Sequence, residues 1–447
     1  MSKSLKPPSA RIVGQSLAAA APVPRSATAP CSPDTPGAAA PADARRVGAP
    51  PPPAVVAPGA VSISVRGPAP APPAWVQHQV SDDALRAFAT SQTTAHRFCT
   101  TERGWIDRFG DRFLLSVRQK SDISPLTRHL RTVLARVGLP CRAMFVRNLE
   151  KNPGQDSIPA LMACADSLAA MGDMPDDSVD GMGAGEHAAA EAQARLAEEV
   201  GRLTVVENGV RFGIDIAAGY SPGLFLDQRD NRRALQLNPP QRLLNLFAYT
   251  CSFSVAAAAA GCKETCSVDL SKKSLDRGRE NFRLNDIDFT PTKNAMTGVL
   301  KLAPLRAGHG PLPNAALSGG VGPCPPSSRH RFIADDVFRI LPYLRKRGET
   351  FDAIILDPPT FARGTKVGSF RVERDLPQLL EACMALAAPQ CRLLVSVNCS
   401  TMQMPTLQRM ATAAAQSAGR RFRLAIPAPP ADFPGDALPA MLWIQLG

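Results

Sequence analysis

The chain has no run of about 18 apolar residues free of charges and turn formers, so no membrane-spanning helix is expected. It lacks any pair of CxxC motifs bracketing a zinc-sized loop, and its 11 cysteines fall at irregular spacing. That argues against a bound metal and predicts reduced thiols in an intracellular compartment rather than a disulfide framework. Acid is scarce at the N-terminal end, where residues 1–80 carry Lys3, Lys6, Arg11, Arg25, Arg45, Arg46 and Arg66 against only Asp34 and Asp43. Periodicity is missing there too. LAAAAPVPRSATAP and RRVGAPPPPAVVAPGA offer no face to bury, so residues 1–80 are expected to be disordered. A flexible, cationic, nearly acid-free leader is what an organelle transit peptide looks like, which makes a chloroplast or mitochondrial address the first expectation and a plain low-complexity tail the alternative.

What is present points to an enzyme of two or three domains. The 447 residues suffice for that number, and 45% hydrophobic with 20% charged residues is ordinary for a soluble globular protein. The net charge of +12 is compatible with a nucleic-acid partner, although the leader holds part of it. Residues 81–235 are expected to form a small α+β domain. SDDALRAFATSQTTAHRF has an Asp-capped helical pattern, SPLTRHLRTVLARVGL a second, and DRFLLSVRQ and RAMFVRNL have the character of strands. Residues 152–198, acidic and rich in Gly, Met and Ala, look like a solvated insertion. LTVVENGVRFGIDI then gives two strands joined at Asn208 and Gly209, a tight hairpin signal.

From residue 236 to 447 strands alternate with helices, which predicts an α/β, Rossmann-like parallel sheet covered on both faces. RLLNLFAYT, TCSVDLS, HRFIADD, FDAIILDPPTF and CRLLVSVNCST are its successive strands with their exit loops. Ligands of such sheets sit outside the carboxyl ends of the strands, and the chemically suggestive residues fall there. Asp269 ends the second strand, where an acid can accept from both hydroxyls of a ribose. The loop after the first strand lacks the GxGxxG that a pyrophosphate demands, so a nucleoside cofactor without that group is favoured, S-adenosyl-L-methionine being the common one. Asp335 and Asp336 end the third strand; one is expected to accept from the adenine amino group, preferably Asp336, while the other caps the next helix. In DPPTF, Pro358 and Pro359 force a rigid turn that fixes Asp357 at the sheet edge, and Phe361 could stack on a base.

These residues resemble the bacterial 23S rRNA cytosine-5 methyltransferase family and its guanine-N7 rRNA methyltransferase relatives. The resemblance is carried by ENGVRFGIDIAAGYSPGLFLDQRDNR, LLNLFAYTCSFSVAAAAAG, SVDLSKKSLDRGRENFRLN, ADDVFRIL, FDAIILDPPTF and SVNCST. It implies a class I methyltransferase fold behind a small α+β domain. It also implies a cofactor site of Gln228, Asn245, Phe247, Tyr249, Thr250, Asp269, Leu270, Asp336 and Asp357, and RNA, most naturally rRNA, as the substrate. Three features depart from the family pattern: Cys251 stands where the family has glycine, no RNA-binding PUA domain is recognisable in residues 1–85, and a Pro- and Gly-rich insertion spans about residues 304–328.

Methylation of cytosine at C5 needs a nucleophile that adds to C6, and Cys399 in SVNCST is the candidate. Asp357 would orient the base or relay the C5 proton. Guanine N7 or an exocyclic amine needs no thiol, and positioning by Asp357 with stacking by Phe361 would then suffice. Two further classes stay open: a methyltransferase acting on protein or a small molecule, and a non-catalytic ribosome-assembly protein that keeps the fold.

Overall fold

Short apolar runs ending in Asp or Asn dictate the C-terminal sheet. In the computed structural model, which describes residues 72–149, 159–164, 186–219, 221–289, 330–365, 368–434 and 438–447, five parallel strands build its centre. They are β9 (Arg242–Leu246), β10 (Glu264–Asp269), β11 (His330–Ala334), β12 (Phe351–Leu356) and β15 (Ala387–Val397). Parallel strands covered on both faces must be apolar throughout, and Leu243, Leu244, Ile354, Ile355, Leu393 and Leu394 are all inaccessible to solvent.

The strand order is β11-β10-β9-β12-β15-β17-β16, where β17 (Ala440–Leu446) runs antiparallel to both neighbours, β15 and β16 (Phe422–Ala425). The chain leaves β9 first toward β10 and β11 and later toward β12 and β15. The switch point therefore lies between the carboxyl ends of β9 and β12, where open α/β sheets bind ligands. Flanking helices are α4 (Arg229–Leu237), α5 (Ser252–Ala259), α6 (Lys272–Leu284), α7 (Val337–Lys346), α8 (Val372–Leu386) and α9 (Met404–Ser417). A small hairpin, β13 (Phe361–Thr365) with β14 (Gly368–Arg371), follows DPPT directly.

Ahead of this sheet lies a second one of six strands in sequential order: β1 (Val76–Gln79), β2 (Ala95–Thr101), β3 (Gly104–Phe109), β4 (Arg112–Val117), β5 (Ala143–Asn148) and β6 (Ala160–Cys164). Only β4 and β5 pair in parallel, because α2 (Ile123–Val137) crosses between them. Helix α1 (Asp82–Thr90) is capped by Ser81, whose side chain accepts from the Ala84 amide. It stops eight residues short of the extended helical pattern in the sequence. Gln92 turns the chain at φ 52°, and the rest becomes β2. The segment expected to be a solvated insertion contains β6 and most of α3 (Glu186–Gly201). Of the leader expected to be disordered to residue 80, residues 76–79 instead form β1, which pairs with β2; residues 1–71 and 304–328 lie outside the described residues.

The strands β7 (Arg202–Glu207) and β8 (Val210–Asp215) turn at Asn208 and Gly209, with φ 49° and 81°. Both central residues are left-handed, the geometry that matches strand twist in a two-residue hairpin. Glu207 at the end of β7 is bound by Arg232 of α4 through two bonds of 2.7 Å, and both side chains are almost wholly buried. Asp432 is bound in the same forked way by Arg229 and also accepts the Arg97 amide of β2, at 2.8 Å. Removing one partner from a buried pair of this kind typically costs about 3–5 kcal/mol, since the other charge is stranded. The first pair fixes α4 against the β7–β8 hairpin, and the second fixes it against the C-terminal segment, which Asp432 in turn ties to β2 of the six-stranded sheet.

Candidate active site at the strand ends

The loop leaving β9 is bent in an unusual way. Phe247, Tyr249 and Cys251 all have positive φ, at 56°, 47° and 60°. Backbone of this kind costs energy for a side chain other than glycine and persists where its surroundings hold it. Here the Tyr249 amide donates to Asp269 Oδ2 at 2.8 Å, and the Tyr249 hydroxyl donates to Ser221 O at 3.1 Å. Thr250, fully buried, donates through Oγ1 to Gly223 O at 2.6 Å. Gly223 itself has φ 126°, and a Cβ there would meet the Arg277 guanidinium at 2.1 Å, so only glycine fits. Cys251 places its sulfur where α6 has Gly278; a Cβ on Gly278 would lie 2.5 Å from it. The thiol thus fills a notch that a helix glycine opens.

On the β10 and β11 side, carboxylates face the cleft. Asp269 receives the Tyr249 amide on one oxygen and the Ser271 amide on the other, at 2.7 Å. Burial raises its pKa, although those two amides oppose the shift. Leu270 beside it is 48% exposed, a large apolar side chain left open at the strand end. Asp336 caps α7 through Oδ1, which accepts from the Phe338 amide at 2.9 Å. Its Oδ2 is buried and has no hydrogen-bond partner among the described residues. A buried acceptor left so is costly and marks a place for a donor. Asp335, expected to share these two jobs with Asp336, instead accepts the Asp336 amide and Arg339.

Two residues from the sequence-derived set lie behind the loop. Asn245 is buried and donates to Ser254 Oγ at 3.0 Å, which continues to Ser267 of β10. Phe247 is half-buried against the core, with its ring 5.7 Å from that of Phe370 on β14.

Across the switch point, β12 and β15 carry the other half of the cleft. Asp357 follows β12 and is pushed up to about 7, chiefly by desolvation and further by the neighbouring Asp227, against a hydrogen bond from Ser396 and the attraction of Arg232. Asp227, also raised by burial, stands one residue before the buried Gln228, which donates to Ser396 at 2.9 Å. Pro358 is buried, Pro359 is exposed, and Phe361 is 43% exposed with the Arg371 guanidinium 5.8 Å from its ring centre. The two exit loops are clamped together, because Thr360 donates through Oγ1 to Asn398 O at 2.5 Å. Cys399 is therefore brought beside the DPPT turn.

The Cys399 thiol is half-buried and donates to Glu373 Oε1 at 3.2 Å, with Thr401 Oγ1 3.0 Å away. Thr401 also donates to Glu373 at 2.6 Å. These donors, Thr401 foremost, hold the Glu373 carboxyl below its usual range. Sequence inspection missed Glu373: it lies 26 residues before Cys399 and reaches it only because α8 starts beside the β15 exit loop.

Comparisons with known proteins agree with this architecture. Residues 187–302 match the family model described as S-adenosylmethionine-dependent methyltransferase. The chain is 33% identical over 222 residues to Ribosomal RNA large subunit methyltransferase I of Aeromonas salmonicida, covering 49% of this chain and 46% of that protein. It is 32% identical over 222 residues to the protein of the same name from Salmonella arizonae, covering 49% and 45%. The match spans less than half the length of these curated relatives. Among solved structures, a Streptococcus mutans protein described as a SAM-dependent methyltransferase superposes with a TM-score of 0.55 at 20% identity, covering 81% of this chain and 78% of that one. A similar structure, complexed with SAH, gives 0.54 at 20% identity with the same coverage. The fold is thus α/β and Rossmann-like, of the class I methyltransferase kind.

Proposed function

We propose that this chain transfers a methyl group from S-adenosylmethionine to a base of rRNA, with cytosine C5 as the target atom. The cofactor half of the cleft fits that molecule. Asp269 stands where ribose hydroxyls would be received, the unpartnered Asp336 Oδ2 suits the adenine amino group, and Leu270 offers an apolar face for the adenine ring. When bound, the cofactor supplies an electrophilic methyl group. RNA as substrate is supported by the names of the relatives and by the basic character of the chain.

The observation that carries the cytosine reading is the clamp between Thr360 and Asn398, which joins the Asp357 turn to the Cys399 turn. A thiol and a carboxylate on adjacent parallel strands can address the same flat ring. Cys399 adds through Sγ to C6, and Glu373, already its hydrogen-bond acceptor, takes the thiol proton and returns it when the thiol leaves. Asp357, with a pKa near neutrality, accepts the hydrogen released from C5.

The second reading, guanine N7 or an exocyclic amine, is favoured by the packing of Cys399 against the sheet core, as a structural thiol would pack. The two readings separate on RNA carrying 5-fluorocytosine, whose fluorine cannot leave as a proton. The cytosine reading predicts a covalent complex with the wild-type chain and none with Cys399→Ser; a fully active Cys399→Ser variant would hand the assignment to the second reading. The leader, as a proposed transit peptide, should direct a fused reporter to an organelle, and a cytosolic reporter would reject that role.

A further inference from the structure

The buried polar groups behind Asp357 form a chain whose direction is set at its far end. Trp443 of β17 has an indole N–H that can only donate, and it donates to Asn231 Oδ1 at 2.9 Å. With that oxygen engaged, Asn231 turns its amide nitrogen to Gln228 Oε1, also at 2.9 Å. The same nitrogen lies 3.1 Å from the Met441 sulfur, an acceptor, which agrees with the orientation. Gln228 then has its own nitrogen to offer, and Nε2 donates to Ser396 Oγ at 2.9 Å. Ser396 receives a hydrogen on its oxygen, so its hydroxyl proton is directed onward, and the neighbouring group is Asp357, one step past the register pair of Leu356 with Val395. Asn231, Gln228 and Ser396 are each at most 3% exposed, so bulk water does not compete for these orientations.

We propose that Trp443, Asn231, Gln228 and Ser396 are positioning residues: a one-way hydrogen-bond relay whose last hydroxyl is turned toward the Asp357 carboxyl from behind. The relay crosses four elements, from β17 through α4 and the turn before it to β15, and ends on the residue after β12. No single element could set the carboxylate alone. Asp227 and Arg232 are the charged groups facing Asp357, and they oppose each other. Ser396 is the neutral donor that favours the ionised form, so the relay both orients Asp357 and keeps it able to accept a proton near neutral pH.

The use of that proton acceptor rests on the methyl-transfer reading, but the relay can be measured without it. In the full chain labelled with ¹³C at aspartate carboxyls, the signal lost in Asp357→Asn identifies Asp357, and its titration midpoint should lie at about 7. Ser396→Ala should raise that midpoint by about one pH unit, the usual scale for losing a hydrogen bond to a charged group. Trp443→Phe should raise it less, because it acts from four links away and changes no charge. An unchanged or lowered midpoint in a natively folded Ser396→Ala variant would overturn the relay. If Ser396→Ala fails to fold, Trp443→Phe decides, an upward shift supporting the relay and none refuting it. A wild-type chain that titrates as described yet transfers no methyl group would count against the methyltransferase reading and leave the relay standing.

Discussion

The two halves of the cleft are held by different means. At the ends of β10 and β11 the carboxylates are fixed by backbone amides, those of Tyr249 and Ser271 for Asp269 and that of Phe338 for Asp336. At the ends of β12 and β15 side chains do the fixing: Glu373 and Thr401 hold Cys399, and Thr360 clamps the two loops together. Backbone donors survive most substitutions, whereas side-chain donors are lost with one. A binding half built on the main chain suits a cofactor common to many enzymes. A half built on side chains suits a substrate that differs between them.

That contrast can be broken first at Asp357. Asp357→Asn should slow methyl transfer on the order of a hundredfold or more, as loss of a general base does, while cofactor affinity by calorimetry stays at the wild-type value. An equal loss of affinity would show that the halves are not separate.

A second effect concerns stability. The Asp357 pKa is raised to about 7, so the sign runs against the common case for carboxylates. Below about pH 4 folded and unfolded chains both carry the proton; between about pH 4 and 7 only the folded chain keeps it. Stability contributed at this site is therefore lost as pH rises through that window. The melting temperature of Asp357→Asn relative to wild type should climb from pH 4 to pH 7 and then level, and a difference that stays flat with pH would refute the raised value.

In the cofactor half, Asp269→Ala should cost about 1–3 kcal/mol of S-adenosylmethionine binding, the scale of a lost hydrogen-bond partner. Calorimetry showing unchanged affinity would reject the ribose assignment. An effect of similar size is expected behind the loop, where the Cys251 sulfur occupies the notch at Gly278. Gly278→Ala should destabilise by about 1–3 kcal/mol through overpacking, and adding Cys251→Gly should restore most of it, since glycine also accepts the positive φ at 251. Additive losses in the double variant would contradict the notch.

The legible parts of the fold were those where one residue type has one meaning. β10, β11 and β12 are short apolar runs that end at or just before an Asp, and every strand-end acid singled out from the sequence lies at the carboxyl edge of the sheet. The antiparallel edge was not legible, because β16 is only the four residues FRLA, too short for its alternation to stand out. β2 was hidden behind a helical pattern because its turn uses Gln92 at positive φ where glycine would have signalled a break. Contacts between distant segments could not be read at all. Asp432 with Arg229, and Glu373 with Cys399, are joined by the packing of elements whose separation in sequence carries no pattern. Asn245 shows the converse, since the family resemblance implied cofactor contact while its amide is engaged by Ser254 inside the layer.

The most direct test of the proposed activity is mass spectrometry of rRNA nucleosides from cells with and without this protein, with the site located by fragment mapping. The cytosine reading predicts one 5-methylcytidine that disappears with the protein and returns with the wild-type chain but not with Cys399→Ser. Loss of 7-methylguanosine instead, or an unaltered set of modified nucleosides, would contradict it.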